Sequence, residues 1–121
     1  MVVTARALNY EKNQQTAATG IKVITVPENR WSRVDIKSVS LLPNVLAKQE
    51  AREKGAYEAW YVGSDGFVTE GASSNAWIVT KDGRVVTRSA DHGILAGITR
   101  AVPIRVLEAL PVRREERPFT P

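Results

Sequence analysis

Residues 35–49 read DIKSVSLLPNVLAKQ, and this stretch decides how the rest of the sequence is interpreted. It places Lys37 just ahead of a run with the spacing of an amphipathic helix. Five apolar residues of the run fall on one helical face: Leu41, Leu42, Val45, Leu46 and Ala47. Pro43 suits the first turn, Glu50 and Lys54 are four residues apart, and Gly55 suits the end. The sequence therefore predicts a helix directly after Lys37.

Two further motifs follow Lys37 along the chain. Residues 68–75 read VTEGASSN and residues 97–100 read GITR. A lysine amine can form a Schiff base with an aldehyde cofactor, and a carboxylate such as Glu70 can keep a ring nitrogen protonated. A glycine-led turn at the start of a helix can bind a phosphate group. Together these are the chemical requirements of pyridoxal 5'-phosphate.

The motifs resemble those of the class IV (fold type IV) aminotransferases, and most closely the D-amino acid aminotransferases. Residues 35–49 resemble that subfamily's lysine segment without interruption, and residues 55–59, 69–75 and 97–100 follow in the family's order. The resemblance implies an α/β (α+β) fold, the large C-terminal domain of the D-amino acid aminotransferase-like fold, with an antiparallel or mixed sheet and packed helices. It also implies amino transfer between a D-amino acid, such as D-alanine, and a 2-oxo acid.

The resemblance carries a role to each matching residue. Lys37 is expected to bind the cofactor covalently and to act as general acid and base, and Glu70 is expected to face the pyridine nitrogen. The remaining cofactor-binding residues implied are Ser73, Ser74, Leu95, Gly97, Ile98 and Thr99. Purely structural explanations of the same residues stay open: Lys37 as a surface lysine, Glu70 as a turn glutamate, Leu95 as a core leucine, Asn75 as part of a polar turn and Thr99 as a helix cap.

The length of the chain bears on this interpretation. Class IV aminotransferases are roughly twice as long as these 121 residues, so the sequence is interpreted as a truncated internal fragment. Residues 1–20 are predicted to be a polar, poorly ordered lead or an interdomain remnant, and residues 21–121 a partial cofactor-binding domain. We expect the full-length parent to be a homodimer. The isolated chain is a candidate for being inactive.

Outside the motifs, local patterns predict secondary structure. Residues 21–26 read as a strand ended by Pro27, and residues 59–62 with 67–69 and 76–80 with 84–87 read as two hairpins. A last helix is expected over residues 99–110, with four residues facing inward: Val102, Val106, Leu107 and Leu110. Pro103 lies near its start. His92, the single histidine, is expected in a loop, and neither Arg33 nor Arg100 is assigned to the phosphate.

Composition narrows the function classes. Hydrophobic residues make up 43% and charged residues 25% of the chain, as in ordinary globular proteins, and no apolar run reaches the length of a bilayer span. The net charge is +4, but the basic residues are scattered, so neither nucleic acid nor a membrane is expected as a partner. Zero cysteines and the absence of clustered metal-ligand residues favour a cytoplasmic protein without a metal site.

Three alternatives to the leading interpretation remain. Branched-chain aminotransferases and aminodeoxychorismate lyase share the lysine, the glutamate and the glycine-isoleucine-threonine turn. A non-catalytic fragment with exposed apolar surface is the third.

Overall fold

The computed structural model describes residues 1–91 and 93–121, and within them three helices and six strands are formed. In chain order they are α1 (Tyr10–Thr19), β1 (Val23–Pro27), α2 (Leu42–Glu53), β2 (Glu58–Val62), β3 (Val68–Gly71), β4 (Trp77–Val79), β5 (Val85–Thr87), α3 (Ile98–Glu108) and β6 (Arg114–Glu116). The prediction that His92 lies in a loop falls outside the described residues.

The first sheet has the strand order β1-β2-β3. Strand β1 runs parallel to β2, which requires a crossover connection, and α2 supplies it. Strand β3 returns antiparallel to β2 through a tight turn at residues 63–66, where Gly66 adopts a positive φ of 80°. The predicted first hairpin is therefore present, whereas the parallel pairing with β1 was not anticipated.

Helix α2 packs on this sheet through its small residues. Ala47 and Ala51 are buried against Val26, Ala59 and Tyr61. Two alanines one turn apart let the helix backbone approach the sheet closely, and the bulkier side chains are left on the other side. Ala47 is the one residue of the predicted apolar face that is buried, and the other four are each more than half accessible: Leu41, Leu42, Val45 and Leu46.

The ends of α2 agree with the sequence signals. Pro43 is in the first turn, where its missing N–H is not required. Lys54 Nζ lies 2.6 Å from Glu50 Oε1, which confirms the predicted pair. Gly55 follows with a φ of 67°, a left-handed conformation that favours glycine and ends the helix.

The second sheet has the strand order β4-β5-β6. Strands β4 and β5 form the second predicted hairpin, closed by Gly83 at a φ of 80°. Strand β6 lies parallel to β5, with α3 as the crossover. Phe119 joins the two sheets: it packs in a core with Val68 and Val86, and its ring meets Trp60 edge-on with centroids 6.1 Å apart.

Helix α3 differs from its prediction in two ways. Its N-cap is Gly97, and Thr99 is the second residue inside the helix, so the capping role considered for Thr99 is wrong. Val102, Val106 and Leu110, predicted to face inward, are about half exposed. Within the described chain this face has no layer to cover it.

The amino-terminal segment is more regular than predicted. Residues Tyr10–Thr19 form α1, and the side chain of Asn9 caps it by accepting a 2.8 Å hydrogen bond from the Lys12 N–H. None of its residues is buried, and most of them are polar. The helix was not anticipated from the sequence; the interpretation of residues 1–20 as a lead or an interdomain remnant stays a prediction. Of the helices described, none has the length and apolar character that a bilayer span requires.

Candidate functional site

A cavity of about 930 Å³ lies among the loop before α2, the connection from β3 to β4 and the start of α3. All eight site residues predicted from the sequence line it: Lys37, Glu70, Ser73, Ser74, Leu95, Gly97, Ile98 and Thr99. They come from three separate stretches of the chain. The fold thus brings the lysine, the carboxylate and the glycine-led turn to one place.

Glu70 ends up buried near the end of β3, with 7% of its side chain exposed. Its Oε1 accepts a 2.6 Å hydrogen bond from Arg30 Nη1. Its Oε2 accepts from Asn75 Nδ2 and from the Leu95 backbone N–H, each at 3.1 Å. Burial raises the pKa of Glu70, and the Arg30 hydrogen bond only partly offsets that rise. The carboxylate is thus held in a fixed orientation at the cavity wall.

Arg30 belongs to the site although sequence reasoning did not assign it. Its side chain is 6% exposed and also binds Glu28 through Nε and Nη2, at 2.8 and 2.6 Å. Its guanidinium lies 4.3 Å from the centre of the Tyr61 ring, as in a cation–π contact. The available signal was a Glu-x-Arg pair directly after the predicted strand, seven residues before Lys37.

Glu28 completes this charged cluster. Burial alone would raise the pKa of Glu28, but hydrogen bonds from Arg30 and from the Thr69 hydroxyl, the latter at 2.8 Å, bring it below its ordinary value. One guanidinium therefore holds two carboxylates, one of them at the cavity. The arrangement fixes the position of Glu70 from the side of the protein core.

The two serines of the β3–β4 connection are engaged by a second buried carboxylate. Glu58 is 3% exposed, and its Oε2 accepts hydrogen bonds from Ser73 Oγ at 2.6 Å and Ser74 Oγ at 3.1 Å. Its Oε1 accepts from the Ala59 N–H at 2.9 Å. The serine hydroxyl protons are therefore committed to Glu58, and their predicted contact with a cofactor stays a prediction. Glu58 was not singled out from the sequence.

Lys37 lies in the loop between β1 and α2 and lines the cavity with an exposed side chain. Among residues 1–91 and 93–121, the amine makes no hydrogen bond and no ion pair. It is therefore accessible to react with a ligand in the cavity.

The turn at residues 95–99 forms the remaining wall. Gly97 caps α3 in an extended conformation, and no side chain in the described part of the molecule hydrogen-bonds to this helix start. The first amide groups of α3 are therefore available to an anion, and the helix dipole adds positive potential there. Thr99 lies within the same first turn.

The two arginines left unassigned from the sequence have protein partners. Arg33 is exposed and lies 2.7 Å from Asp35. Arg100 lines the cavity, yet its Nη2 donates to Glu116 at 2.6 Å and to the Arg88 carbonyl at 3.0 Å. The two Arg100 contacts tie α3 to the second sheet. Because both arginines have protein partners, neither has to be counted as a phosphate ligand.

Comparison with known proteins identifies similar sequences and folds. Residues 1–121 match the family Amino-transferase class IV. A D-alanine aminotransferase of Bacillus licheniformis is 40% identical over 118 residues, which are 98% of this chain and 41% of the relative. The chain thus spans about two-fifths of the length of the curated relatives it matches.

Solved structures agree with the sequence comparison. A fold IV-transaminase from Curtobacterium pusillum superposes with a TM-score of 0.74 at 34% identity, covering 84% of this chain and 38% of its own. A branched-chain aminotransferase from Thermoproteus uzoniensis superposes with a TM-score of 0.73 at 31% identity, covering 84% of this chain and 35% of its own. The predicted fold class is confirmed.

Proposed function

Because the chain belongs to the class IV aminotransferases, we propose that it is the lysine-bearing part of a pyridoxal phosphate-dependent transaminase acting on D-amino acids. The amino group would move between a D-amino acid, such as D-alanine, and a 2-oxo acid. Support for the D-specific branch is the resemblance of residues 35–49 and the 40% identity to a D-alanine aminotransferase. The observation that carries the proposal is the meeting of Lys37, Glu70 and the Gly97 turn in one cavity.

The residues present fit this cofactor. When bound, pyridoxal phosphate supplies an aldehyde for covalent attachment and a ring that withdraws electrons. Lys37 provides the amine for attachment, and its Nζ would remove the proton from the α carbon of the substrate. The volume of about 930 Å³ accommodates a small cofactor together with an amino acid.

Glu70 would stabilise the protonated pyridine nitrogen. A carboxylate held by three protein donors keeps its place, and Oε1, which accepts only from Arg30, has room for one further donor. Burial raises the pKa of Glu70, and the adjacent positive charge of Arg30 opposes that rise and so favours the ionised form. An ionised partner is what a protonated ring nitrogen requires.

The remaining predicted ligands act at the edges of the cofactor. The N–H groups of Ile98 and Thr99 would bind the phosphate at the start of α3, with the Thr99 hydroxyl as an added donor. Leu95 would pack against the ring. Ser73 and Ser74 would contribute backbone N–H groups, since their hydroxyls already donate to Glu58.

Trapping of the cofactor tests the proposal. We expect borohydride reduction after addition of pyridoxal phosphate to modify Lys37, as located by peptide mass spectrometry. Lys37→Ala should abolish this modification, and Lys12→Ala, an exposed change in α1, should leave it intact. Equal labelling of all exposed lysines would contradict the proposal.

Glu70→Gln separates charge from shape at the ring nitrogen. Loss of a hydrogen bond to a charged group costs about 1.5–3 kcal/mol, so we expect roughly 10- to 150-fold weaker cofactor binding. An unchanged affinity would remove Glu70 from the site.

Substrate class requires a separate test. The structural similarity to a branched-chain aminotransferase supports branched-chain L-amino acids as the second candidate. Aminodeoxychorismate lyase chemistry is the third. This chain could replace the matching segment of the Bacillus licheniformis relative, and the chimera could be assayed with D-alanine and with L-leucine. Activity with L-leucine alone would overturn the D-specific assignment.

The homodimeric parent implied by the resemblance and the cytoplasmic location favoured by the absence of cysteine are part of the same proposal. We propose that the full-length parent is a homodimer and that it is located in the cytoplasm. Sedimentation of the protein that contains this chain would test the dimer.

A further inference from the structure

Asn75 joins two parts of the cavity wall that are far apart in sequence. Its single amide nitrogen donates to Glu70 Oε2 at 3.1 Å and to the Leu95 carbonyl at 3.0 Å. Both N–H bonds of the side chain are thereby used. One partner carries the carboxylate proposed for the ring nitrogen, and the other begins the turn proposed for the phosphate.

The oxygen of the same side chain occupies space that glycine provides. A Cβ added at Gly97 would lie 2.6 Å from Asn75 Oδ1, closer than real contacts allow. The φ of Gly97 is −64°, which any residue adopts, so the backbone conformation does not demand glycine. Close approach of the asparagine amide is the constraint that the structure shows at this position.

The pattern of contacts differs from that of an ordinary turn residue. Asparagine in a turn commonly hydrogen-bonds to its own backbone neighbours two residues on. The partners of Asn75 are instead 5 and 20 residues away. Leu95 closes the arrangement, because its N–H donates to the same Glu70 oxygen at 3.1 Å.

We propose that Asn75 is a positioning residue that fixes the Glu70 carboxylate relative to the turn at residues 95–97. It thereby sets the spacing between the group that meets the ring nitrogen and the amides that meet the phosphate. The inference rests on the proposed function for its meaning. The physical link between Glu70 and the turn exists in the protein without any ligand.

Amide hydrogen exchange in the cofactor-free protein tests the link directly. Asn75→Ala removes both hydrogen bonds, and Gly97→Ala displaces the Asn75 side chain. We expect each to accelerate exchange of the Leu95 N–H by about 10-fold, the factor that corresponds to loss of one typical hydrogen bond. Unchanged Leu95 exchange in Asn75→Ala would overturn the proposal.

Two controls distinguish this effect from general unfolding. The Ala59 N–H, which donates to Glu58, should keep its exchange rate in both variants. Asn13→Asp, an exposed change in α1, should alter neither amide. Equal acceleration at Leu95 and Ala59 would mean general destabilisation and would overturn the positioning role.

A double-mutant cycle on cofactor affinity asks whether Asn75 acts through Glu70. With Glu70 present, we expect Asn75→Ala to weaken binding of pyridoxal phosphate by about 10-fold. In a Glu70→Ala background, the same change should cost less than about 3-fold, since half of the link is already gone. A loss of 3-fold or more in that background would overturn coupling through Glu70.

The two readouts keep separate claims apart. If the unaltered protein binds no pyridoxal phosphate, the proposed function fails. The exchange rate of the Leu95 amide then decides by itself whether Asn75 holds the turn to Glu70.

Discussion

Replacement of Arg30 by alanine should destabilise the protein far more than replacement of another arginine in the same loop. Arg30 is 6% exposed and serves two carboxylates, Glu28 at 2.6 Å and Glu70 at 2.6 Å. Arg30→Ala leaves both acids in place without their shared cation. Uncompensated charge in a buried site is the physical reason for the large effect.

The magnitude follows from the burial of the three partners. Glu28 is 21% exposed and Glu70 7% exposed, so water screens neither fully. Removal of one partner from a buried ion pair costs about 3–5 kcal/mol. We expect a loss in this range for Arg30→Ala at neutral pH, with the cation–π contact to Tyr61 included.

Urea denaturation followed by tryptophan fluorescence would measure the loss. Arg33→Ala is the matched control, because the Arg33 pair with Asp35 is exposed and its loss should change the free energy of unfolding much less. Equal losses in the two variants would refute the reasoning. Glu70→Gln combined with Arg30→Ala should recover part of the loss, since one orphaned charge is then absent.

The pH dependence of Arg30→Ala supplies an independent check. Although burial raises it, hydrogen bonds from Arg30 and Thr69 hold the pKa of Glu28 below its ordinary 4.5. The stabilisation from Arg30 is therefore present above that value and is lost as pH falls through the lowered pKa. Burial already raises the pKa of Glu70, and removal of Arg30 should raise it further. The stability gap between the variant and the unaltered protein should therefore narrow as pH falls towards 4. A constant gap from pH 7 to pH 4 would contradict this account.

Three other predictions concern the frame of the site. Burial, the largest single influence, raises the pKa of Glu58, but its hydrogen bonds hold that pKa below its ordinary value. The Glu58→Gln variant should therefore lose less stability than the unaltered protein on acidification below pH 4.5, as measured by melting curves across pH. Gly71→Ala would place a Cβ 2.3 Å from Ser74 Oγ and should cost about 1–3 kcal/mol in urea denaturation, whereas Gly63→Ala meets only a movable exposed carboxylate and should cost less. Thr87→Val removes a buried 2.8 Å hydrogen bond to the carbonyl that precedes β4, and calorimetry should report a loss of about 1–2 kcal/mol.

Local signals in the sequence predicted local structure well. Gly55, Gly66 and Gly83 each adopt a positive φ, which is why glycines between apolar runs located the end of α2 and both hairpin turns. Each of these turns depends on residues close together in the chain.

Pairings between distant stretches were harder to predict. Strand β6 consists of Arg114, Glu115 and Glu116, which carry no apolar alternation, and its place beside β5 depends on backbone hydrogen bonds. The exposed faces of α2 and α3 show the same limit, because helical spacing identifies a face without saying what covers it. Arg30 and Glu58 were missed for a related reason: their partners are 40, 15 and 16 residues away.

The contact between Asn75 and Gly97 implies that these two positions should covary across homologous sequences. A shorter residue at position 75 would leave room for alanine at position 97, whereas an asparagine there would have to move away from that alanine. Anyone transplanting this turn into a designed scaffold would therefore need to exchange both residues as a unit.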